Sequence, residues 1–407
     1  MYNLIIYAYL LGVAIYSCFS EKVRKMWRGE RDAFRVLRQR VQPGERYVWF
    51  HAASLGEFEQ GRPLIEQIRS DHPELKILLT FFSPSGYEVR KDYQGADIIC
   101  YLPLDTPRNA RRFLRLIRPE MAFFIKYEFW YNYLHILHHR GIPTYSVSSI
   151  FREGQVFFRW YGRQYGRVLN CFTRFYVQNE HSRELLASIK IDRVTVVGDT
   201  RFDRVLQIKE QARQLEIVDR FVDRHPKVFV AGSSWPPDED IFIRYFLEHP
   251  DWRLIIAPHV IDESHLTQIE QKLQGRKVVR YTKAEGQDLE SADVLMIDCF
   301  GLLSTIYRYA TVSYVGGGFG TSIHNTLEAA VWGKPVVFGP ENQKFQEAQG
   351  LKACGGGFEI SSYDDFARLL DRFSNDPAFL AESSTAAADY VDSLTGATRK
   401  ILADIEF

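Results

Sequence analysis

The sequence has no excess charge of either sign. Its 407 residues hold 51 Lys+Arg and 51 Asp+Glu. That balance excludes a polybasic nucleic-acid binder and an acidic disordered chain. Cysteine is scarce. The five residues (Cys18, Cys100, Cys171, Cys299, Cys354) lie far apart, with no CxxC or Cys/His spacing. A disulfide framework and a structural zinc site do not fit that pattern, and a reducing compartment does. No short-period repeat and no low-complexity segment is present, which excludes a solenoid. There is no HExxH, no GxSxG, no nucleophilic-cysteine pattern, and no DxD-type acid pair in a loop suited to a metal-held diphosphate.

What is present is ordinary globular material: 46% hydrophobic and 25% charged residues, enough for two cores of about 200 residues each. Aromatics reach 14%. The zero net charge is a sum of opposites. Residues 1–200 hold 29 Lys+Arg and 20 Asp+Glu, and residues 201–407 hold 22 and 31. The first half is basic and the second acidic by the same margin.

Residues 2–20 carry no charge over 19 positions. As one helix they would reach roughly 28 Å, close to a bilayer core. Eight basic residues against three acids follow in 21–40. The positive-inside rule then puts the rest of the chain in the cytoplasm. A signal peptide wants a positive start, which Met1-Tyr2-Asn3 lacks. The expectation is a single membrane anchor helix, spanning or lying in the interface; the bland alternative is a buried helix.

From residue 46 onward short apolar runs alternate with helical stretches. The runs 47–52, 77–82, 121–125, 144–148 and 174–177 read as buried parallel strands, and a second series runs through 227–233, 253–258, 294–298, 312–318 and 335–339. This predicts an α/β protein with two Rossmann-like domains. The divisions fall at an anchor helix 1–20, a first domain 21–205, a linker region 206–225, a second domain 226–385, and a closing helix 386–407 that packs back on the first domain. Ligands of such folds bind at the carboxyl ends of strands.

Four clusters follow strands. Ser54-Leu55-Gly56-Glu57 comes after the first, where a carboxylate at a helix start can take a proton from a hydroxyl or simply cap the helix. Lys126-Tyr127-Glu128-Phe129-Trp130 follows the strand 121–125, and Glu128 is either a second site carboxylate or a cap. Gly232-Ser233-Ser234 offers hydroxyls for phosphate or for capping. Gly316-Gly317-Gly318-Phe319-Gly320, followed by His324-Asn325-Thr326-Leu327-Glu328, offers backbone N–H groups to phosphate and a carboxylate to a ribose. Two arginine sets fall at helical spacing: Arg108, Arg111, Arg112 and Arg115, then Arg159, Arg163 and Arg167 among aromatics. Each suits an anionic lipid or a solvated helix face.

Together HAASLGE, KYEFWYN, GDTRFD at 198–203, AGSS, APH at 257–259 and GGGFGTSIHNTLEAAVWGKPVVFGP at 316–340 resemble the 3-deoxy-D-manno-octulosonic acid (Kdo) transferases of lipopolysaccharide biosynthesis, glycosyltransferase family 30. The resemblance covers essentially the whole chain. It implies a GT-B fold with its active site in an interdomain cleft. It also implies inverting transfer of Kdo from CMP-Kdo to the lipid A precursor, with no cofactor and no metal, at the cytoplasmic face of the inner membrane. Neither nucleic acid nor an obligate protein partner is implied. The first domain then binds acceptor and the second donor. On the family pattern Glu57 is the catalytic base and Glu128 a second active-site carboxylate. Gly232, Ser233, Ser234, Pro258, His259, Gly317, Gly318, Phe319, His324, Asn325 and Glu328 serve the donor. Ser54, Gly56, Lys126, Arg201, Arg108, Arg112, Arg159 and Arg163 serve the acceptor and its phosphates.

The chain departs from the pattern at Tyr131, where Pro is usual, at His259, where Arg is usual, at Leu302, where an acid is usual, and at Arg201, where Lys is usual. Three alternatives stay open: a GT-B transferase using a UDP-sugar, a nucleotide-sugar epimerase, and a silent membrane-bound homologue.

Overall fold

The computed structural model describes residues 2–223 and 225–407, apart from the side chains of Arg163 and Gln164. The backbone divides into two units, Met1–Arg204 with Thr395–Phe407, and Val205–Leu394.

The first unit is built on seven parallel strands: β1 (Tyr47–Ala52), β2 (Lys76–Phe81), β3 (Ile98–Tyr101), β4 (Met121–Ile125), β5 (Thr144–Ser149), β6 (Arg174–Val177) and β7 (Val194–Val196). Their order is β3-β2-β1-β4-β5-β6-β7. β1 and β4 are buried along their whole length, which is why their sequences are continuous apolar runs rather than alternations. Helices cover both faces: α1 (Tyr2–Tyr16), α2 (Glu21–Arg40), α3 (Leu55–Asp71), α4 (Pro84–Arg90), α5 (Pro107–Ile117) and α6 (Tyr131–His139). α3 turns Phe58, Leu64, Ile65 and Ile68 onto the sheet. Each such side chain removed from water contributes roughly 1.5–3 kcal/mol.

The closing stretch of the chain is two helices, Pro377–Ser393 and Ala397–Leu402. Only the second belongs to the first unit, where Ala397, Ile401 and Ile405 join the core of Ile65 and Ile68. Asp404 accepts from Tyr176 Oη at 3.1 Å. The stretch expected as a linker holds helical backbone, Thr200–Gln211 and Glu216–Val222.

The second unit repeats the plan with β8 (Val228–Ser234), β9 (Arg253–Pro258), β10 (Val278–Arg280), β11 (Val294–Met296), β12 (Val312–Val315), β13 (Val336–Phe338) and β14 (Gly357–Glu359). The order is β10-β11-β9-β8-β12-β13-β14, again parallel. Phe229, Phe242, Phe246, Tyr314 and Phe366 fill its main core.

The amino-terminal segment corrects one expectation. α1 ends at Tyr16 and α2 starts at Glu21 behind the Ser20 cap. Fifteen residues make about 22 Å, short of a bilayer core of about 30 Å. Among the described residues no helix is long and apolar enough to cross a membrane. Nor is α1 a buried helix, for Val13 is its one buried residue. Leu4, Ile5, Leu11 and Ile15 stand exposed, as does Phe19 beyond its end. α1 is held at its start: Tyr2 Oη donates to Asp105 at 2.7 Å and Asn132 Nδ2 to Asn3 Oδ1 at 2.9 Å. Burial lifts the Asp105 carboxyl above its ordinary range despite these donors.

Candidate active site

In the first unit the loops after β1 and β4 are neighbours, because those strands pair directly. Ser54 caps α3 and Glu57 stands three residues into the helix. Ser54 Oγ donates to the Glu57 carboxylate and makes no cap bond to the backbone. Glu57 is therefore oriented by a hydroxyl at a helix start, where the N–H dipole favours negative charge. Gly56, exposed beside it, leaves that first turn without a side chain. Capping alone does not account for Glu57.

Glu128 is no cap either, since Trp130 occupies the N-cap position of α6. Its Oε2 lies 3.1 Å from His51 Nε2 and accepts Trp130 Nε1–H at 2.6 Å. His51 is wholly buried in β1, with Nδ1 2.9 Å from Thr80 Oγ1. Trp49 Nε1 donates to that same oxygen at 2.8 Å. With Nε2 facing a carboxylate, the imidazole donates there and takes Thr80 as its partner at Nδ1. No hydrogen bond joins Glu57 to Glu128; the second carboxylate pairs with histidine instead. His51 and Trp130 had no role assigned from sequence, and no spacing rule links a strand histidine to a carboxylate 77 positions later.

The loop after β4 is held tightly. Lys126 adopts a left-handed φ of 67° and Ser148, near the end of β5, one of 51°. Such positions in non-glycine residues concentrate at functional sites. The Lys126 carbonyl accepts from Ser149 Oγ at 2.9 Å, while its ammonium lies 5.7 Å over the Tyr127 ring. Tyr127 Oη is buried with no hydrogen-bond partner among the described residues, and burial raises its pKa.

Arg201 is engaged with a neighbour. Its Nε and Nη2 donate to Asp199 Oδ2 at 2.9 and 2.8 Å. Burial alone would raise the Asp199 carboxyl, but the Arg201 guanidinium and further donors outweigh it and hold it below the ordinary range. Gln60 of α3 adds a bond to Asp199 at 3.1 Å, so the GDTRFD run anchors α3.

The arginine sets divide. Arg108 is exposed on α5, and Arg112 stacks on Phe34 of α2 at 4.2 Å, which makes it a packing group. The single helix expected through Arg159, Arg163 and Arg167 is absent. The backbone breaks into short turns, Val156–Phe158, Trp160–Gly162, Arg163–Gly166 and Arg167–Cys171. The turns bring the chain close to itself: a side chain at Gly162 would collide with the Val156 carbonyl. The Arg163 side chain lies outside the described residues.

In the second unit the donor-side residues gather past β8, β9 and β12. Two expectations are corrected. Ser234 is wholly buried and its hydroxyl donates to Glu239 at 3.1 Å, so it supports the loop rather than facing a ligand. The Gly317 N–H donates to Asp238 Oδ2 at 2.9 Å and is not offered to a phosphate. Gly317 holds a φ of 95°, which turns the chain after β12. Burial raises the Asp238 carboxyl. The next two N–H groups, on Gly318 and Phe319, donate to no protein acceptor among the described residues. Gly232 packs against Tyr307, and Ser233 keeps partial exposure with a φ of 51°.

Trp235, His259 and His324 form a stack. Their ring centroids lie 4.7 Å apart for Trp235–His259 and 4.4 Å for His259–His324. Trp235 Nε1 donates to His324 Nε2 at 3.3 Å. His259, which follows Pro258 at the end of β9, is the exposed member. Burial, and then the His259 charge, push the His324 imidazole down to about 4; burial lowers His259 as well. Beyond the stack, Asn325 Nδ2 donates to Glu328 Oε1 at 3.1 Å and Ser304 Oγ to Oε2 at 2.5 Å. Each oxygen thus has a protein donor that fixes the carboxylate in place. The helix here is the single turn Leu327–Ala330.

Comparison with known proteins follows the same division. Residues 28–204 match the family model described as 3-deoxy-D-manno-octulosonic-acid transferase (kdotransferase). A 3-deoxy-D-manno-octulosonic acid transferase of Aquifex aeolicus (strain VF5) is 26% identical over 330 residues, covering 79% of this chain and 84% of that one. Its counterpart in Haemophilus influenzae is 23% identical over 376 residues, covering 88% and 86%. Among solved structures, the UDP-GlcNAc 2-epimerase from Neisseria meningitidis bound to UDP-GlcNAc aligns with a TM-score of 0.60 at 15% identity, covering 88% of this chain and 98% of that one. MurG of Acinetobacter baumannii aligns with a TM-score of 0.55 at 11% identity, covering 88% and 99%. These structural likenesses carry the fold, which is GT-B.

Proposed function

The chain is a glycosyltransferase of the Kdo transferase family, and from that premise we propose that it moves Kdo from CMP-Kdo onto a hydroxyl of the lipid A precursor. The observation that carries this reading is the Ser54–Glu57 pair at the start of α3. A carboxylate oriented there is suited to remove a proton from a bound hydroxyl. The acceptor oxygen then attacks C2 of Kdo, the C2–O bond to CMP breaks with inversion, and the phosphate leaves with the bonding pair.

Asn325 and Glu328 fit a ribose, since a carboxylate held by Asn325 and Ser304 beside a strand end can accept from hydroxyls. The N–H groups of Gly318 and Phe319 fit the departing phosphate. In this reading the step runs without metal, and activity survives a chelator. Glu128, oriented by His51 and Trp130, fits the acceptor sugar. The exposed apolar residues of α1, beside the basic segment 21–40, fit attachment to the cytoplasmic face of an anionic membrane, with α1 lying in the interface.

The test is CMP-Kdo with tetraacylated lipid A precursor, followed by mass spectrometry of the product. A Kdo adduct with stoichiometric CMP release supports the reading. Turnover of a UDP-sugar instead, or no release of CMP, overturns it.

A further inference from the structure

We propose that the cavity walled by residues 157–191 of the first unit is a peripheral site for the phosphate headgroup of an anionic phospholipid. The cavity holds about 630 Å³ and is lined by Phe157, Phe158, Arg159, Trp160, Arg167 and Lys190, among others. None of its lining residues is acidic. Arg159, Arg167 and Lys190 are exposed, and among the described residues none of the three has an ion-pair partner. Three unpaired cations around one concavity call for an anion. Behind them Arg193 Nη2 donates to the Asn170 carbonyl at 3.0 Å and fixes that wall.

Topology separates this cavity from the carboxylates. The helix Glu180–Ser188 leaves the carboxyl end of β6 and delivers residues 188–191 to the amino end of β7. Asn170 likewise precedes β6. Glu57 and Glu128 follow the carboxyl ends of β1 and β4. Asn170 and residues 188–191 therefore reach the cavity from the end of the sheet opposite the carboxylates, while Phe157 on the other wall packs 4.9 Å from Phe129.

A lipid is favoured over a free anion by what surrounds the opening. Trp160 is 82% exposed and Tyr161 64%. Aromatic side chains beside basic groups suit the headgroup level of a bilayer. The same segment reaches α1, where the rings of Tyr165 and Tyr2 stack at 5.9 Å. Cavity and apolar helix therefore belong to one connected surface. The inference rests on the membrane reading above.

The full chain is sedimented with vesicles of phosphatidylcholine alone or with added phosphatidylglycerol. The wild type is expected to bind the acidic vesicles more tightly. Combining Arg159→Gln, Arg167→Gln and Lys190→Gln is expected to lower that affinity at least tenfold. Combining Arg111→Gln and Arg115→Gln on α5 with Arg118→Gln just past its end, equal in charge removed, is expected to cost markedly less. Equal losses in the two sets reduce the effect to bulk charge and overturn the site. Inorganic phosphate that releases wild type from vesicles at micromolar concentration marks a free-anion site, which also overturns it. Kdo transfer is assayed separately on detergent-dispersed acceptor. Loss of transfer with vesicle binding intact counts against the proposed function and leaves the cavity standing.

Discussion

His51 Nε2 stands 3.1 Å from Glu128 Oε2, so a residue inside β1 aims the carboxylate that follows β4. Trp130 reaches the same oxygen from the other side. Trp130→Phe and His51→Leu each remove one donor to a charged group, a loss of about 1.5–3 kcal/mol. Turnover is expected to fall about tenfold or more in each, with CMP affinity unchanged. Steady-state kinetics with CMP calorimetry checks this; unchanged turnover means Glu128 needs no such aim.

Glu57→Ala is expected to cut turnover by ~10²-fold or more with CMP binding nearly intact. Ser54→Ala leaves the carboxylate in place but frees its rotamer, so a smaller loss follows. Rates for both variants against calorimetric CMP affinity test the order. An active Glu57→Ala protein would falsify the assignment of the base.

Glu30 of α2 lies buried, and burial lifts its carboxyl to about 8 against the Leu104 N–H that lowers it. The unfolded carboxyl ionises near 4.5. The folded protein is therefore the protonated one between these values, and stability falls as pH rises from about 4.5 to 8. Glu30→Gln keeps the neutral shape and is expected to stabilise the chain by about 2 kcal/mol or more at pH 8, with little gain at pH 4. Denaturant unfolding at both values measures the difference.

Burial lowers both the His259 and His324 imidazoles, His324 to about 4. Asp238, the carboxylate at the Gly317 turn, has its bonds filled by Gly317, Trp235 and Tyr314. A bound phosphate supplies the missing negative charge and raises both imidazoles. Binding then takes up protons, so CMP affinity is expected to rise as pH falls from 8 to 6. Calorimetry in buffers of different ionisation enthalpy reads the uptake, and His259→Gln should reduce it. A pH-independent affinity contradicts the coupling.

Leu4→Glu with Leu11→Glu places charge on two of the exposed positions of α1. Vesicle binding is expected to fall by ~10²-fold or more, with thermal stability unchanged because neither side chain packs. Flotation and thermal melts separate these outcomes.

The ten runs identify ten of the fourteen strands, since strands buried on both faces are mostly apolar. The four that escape, β3, β7, β10 and β14, all lie at sheet edges. They are three or four residues long, and unlike the equally short β11 and β13 they have a neighbour on one side only. At the candidate site, Glu57, Asn325 and Glu328 are legible in their placement beside a strand end and a helix start. His51 and Trp130 are not, because their partner is set by which strands pair. The Gly317 N–H misleads for a related reason: nothing in a glycine run says that Asp238, 79 positions earlier, has already taken it.

The assignment of Thr395–Phe407 to the first unit has a bearing on biosynthesis. All seven strands of that unit leave the ribosome early, yet Ala397, Ile401 and Ile405 complete the core against α3. The second unit, being one continuous stretch, has its full set of residues before they emerge. Vectorial folding normally favours the amino-terminal domain. Here the order of completion is reversed: the domain begun first closes its core last, and a nascent chain stalled before residue 397 holds a finished second domain and an unsealed first one.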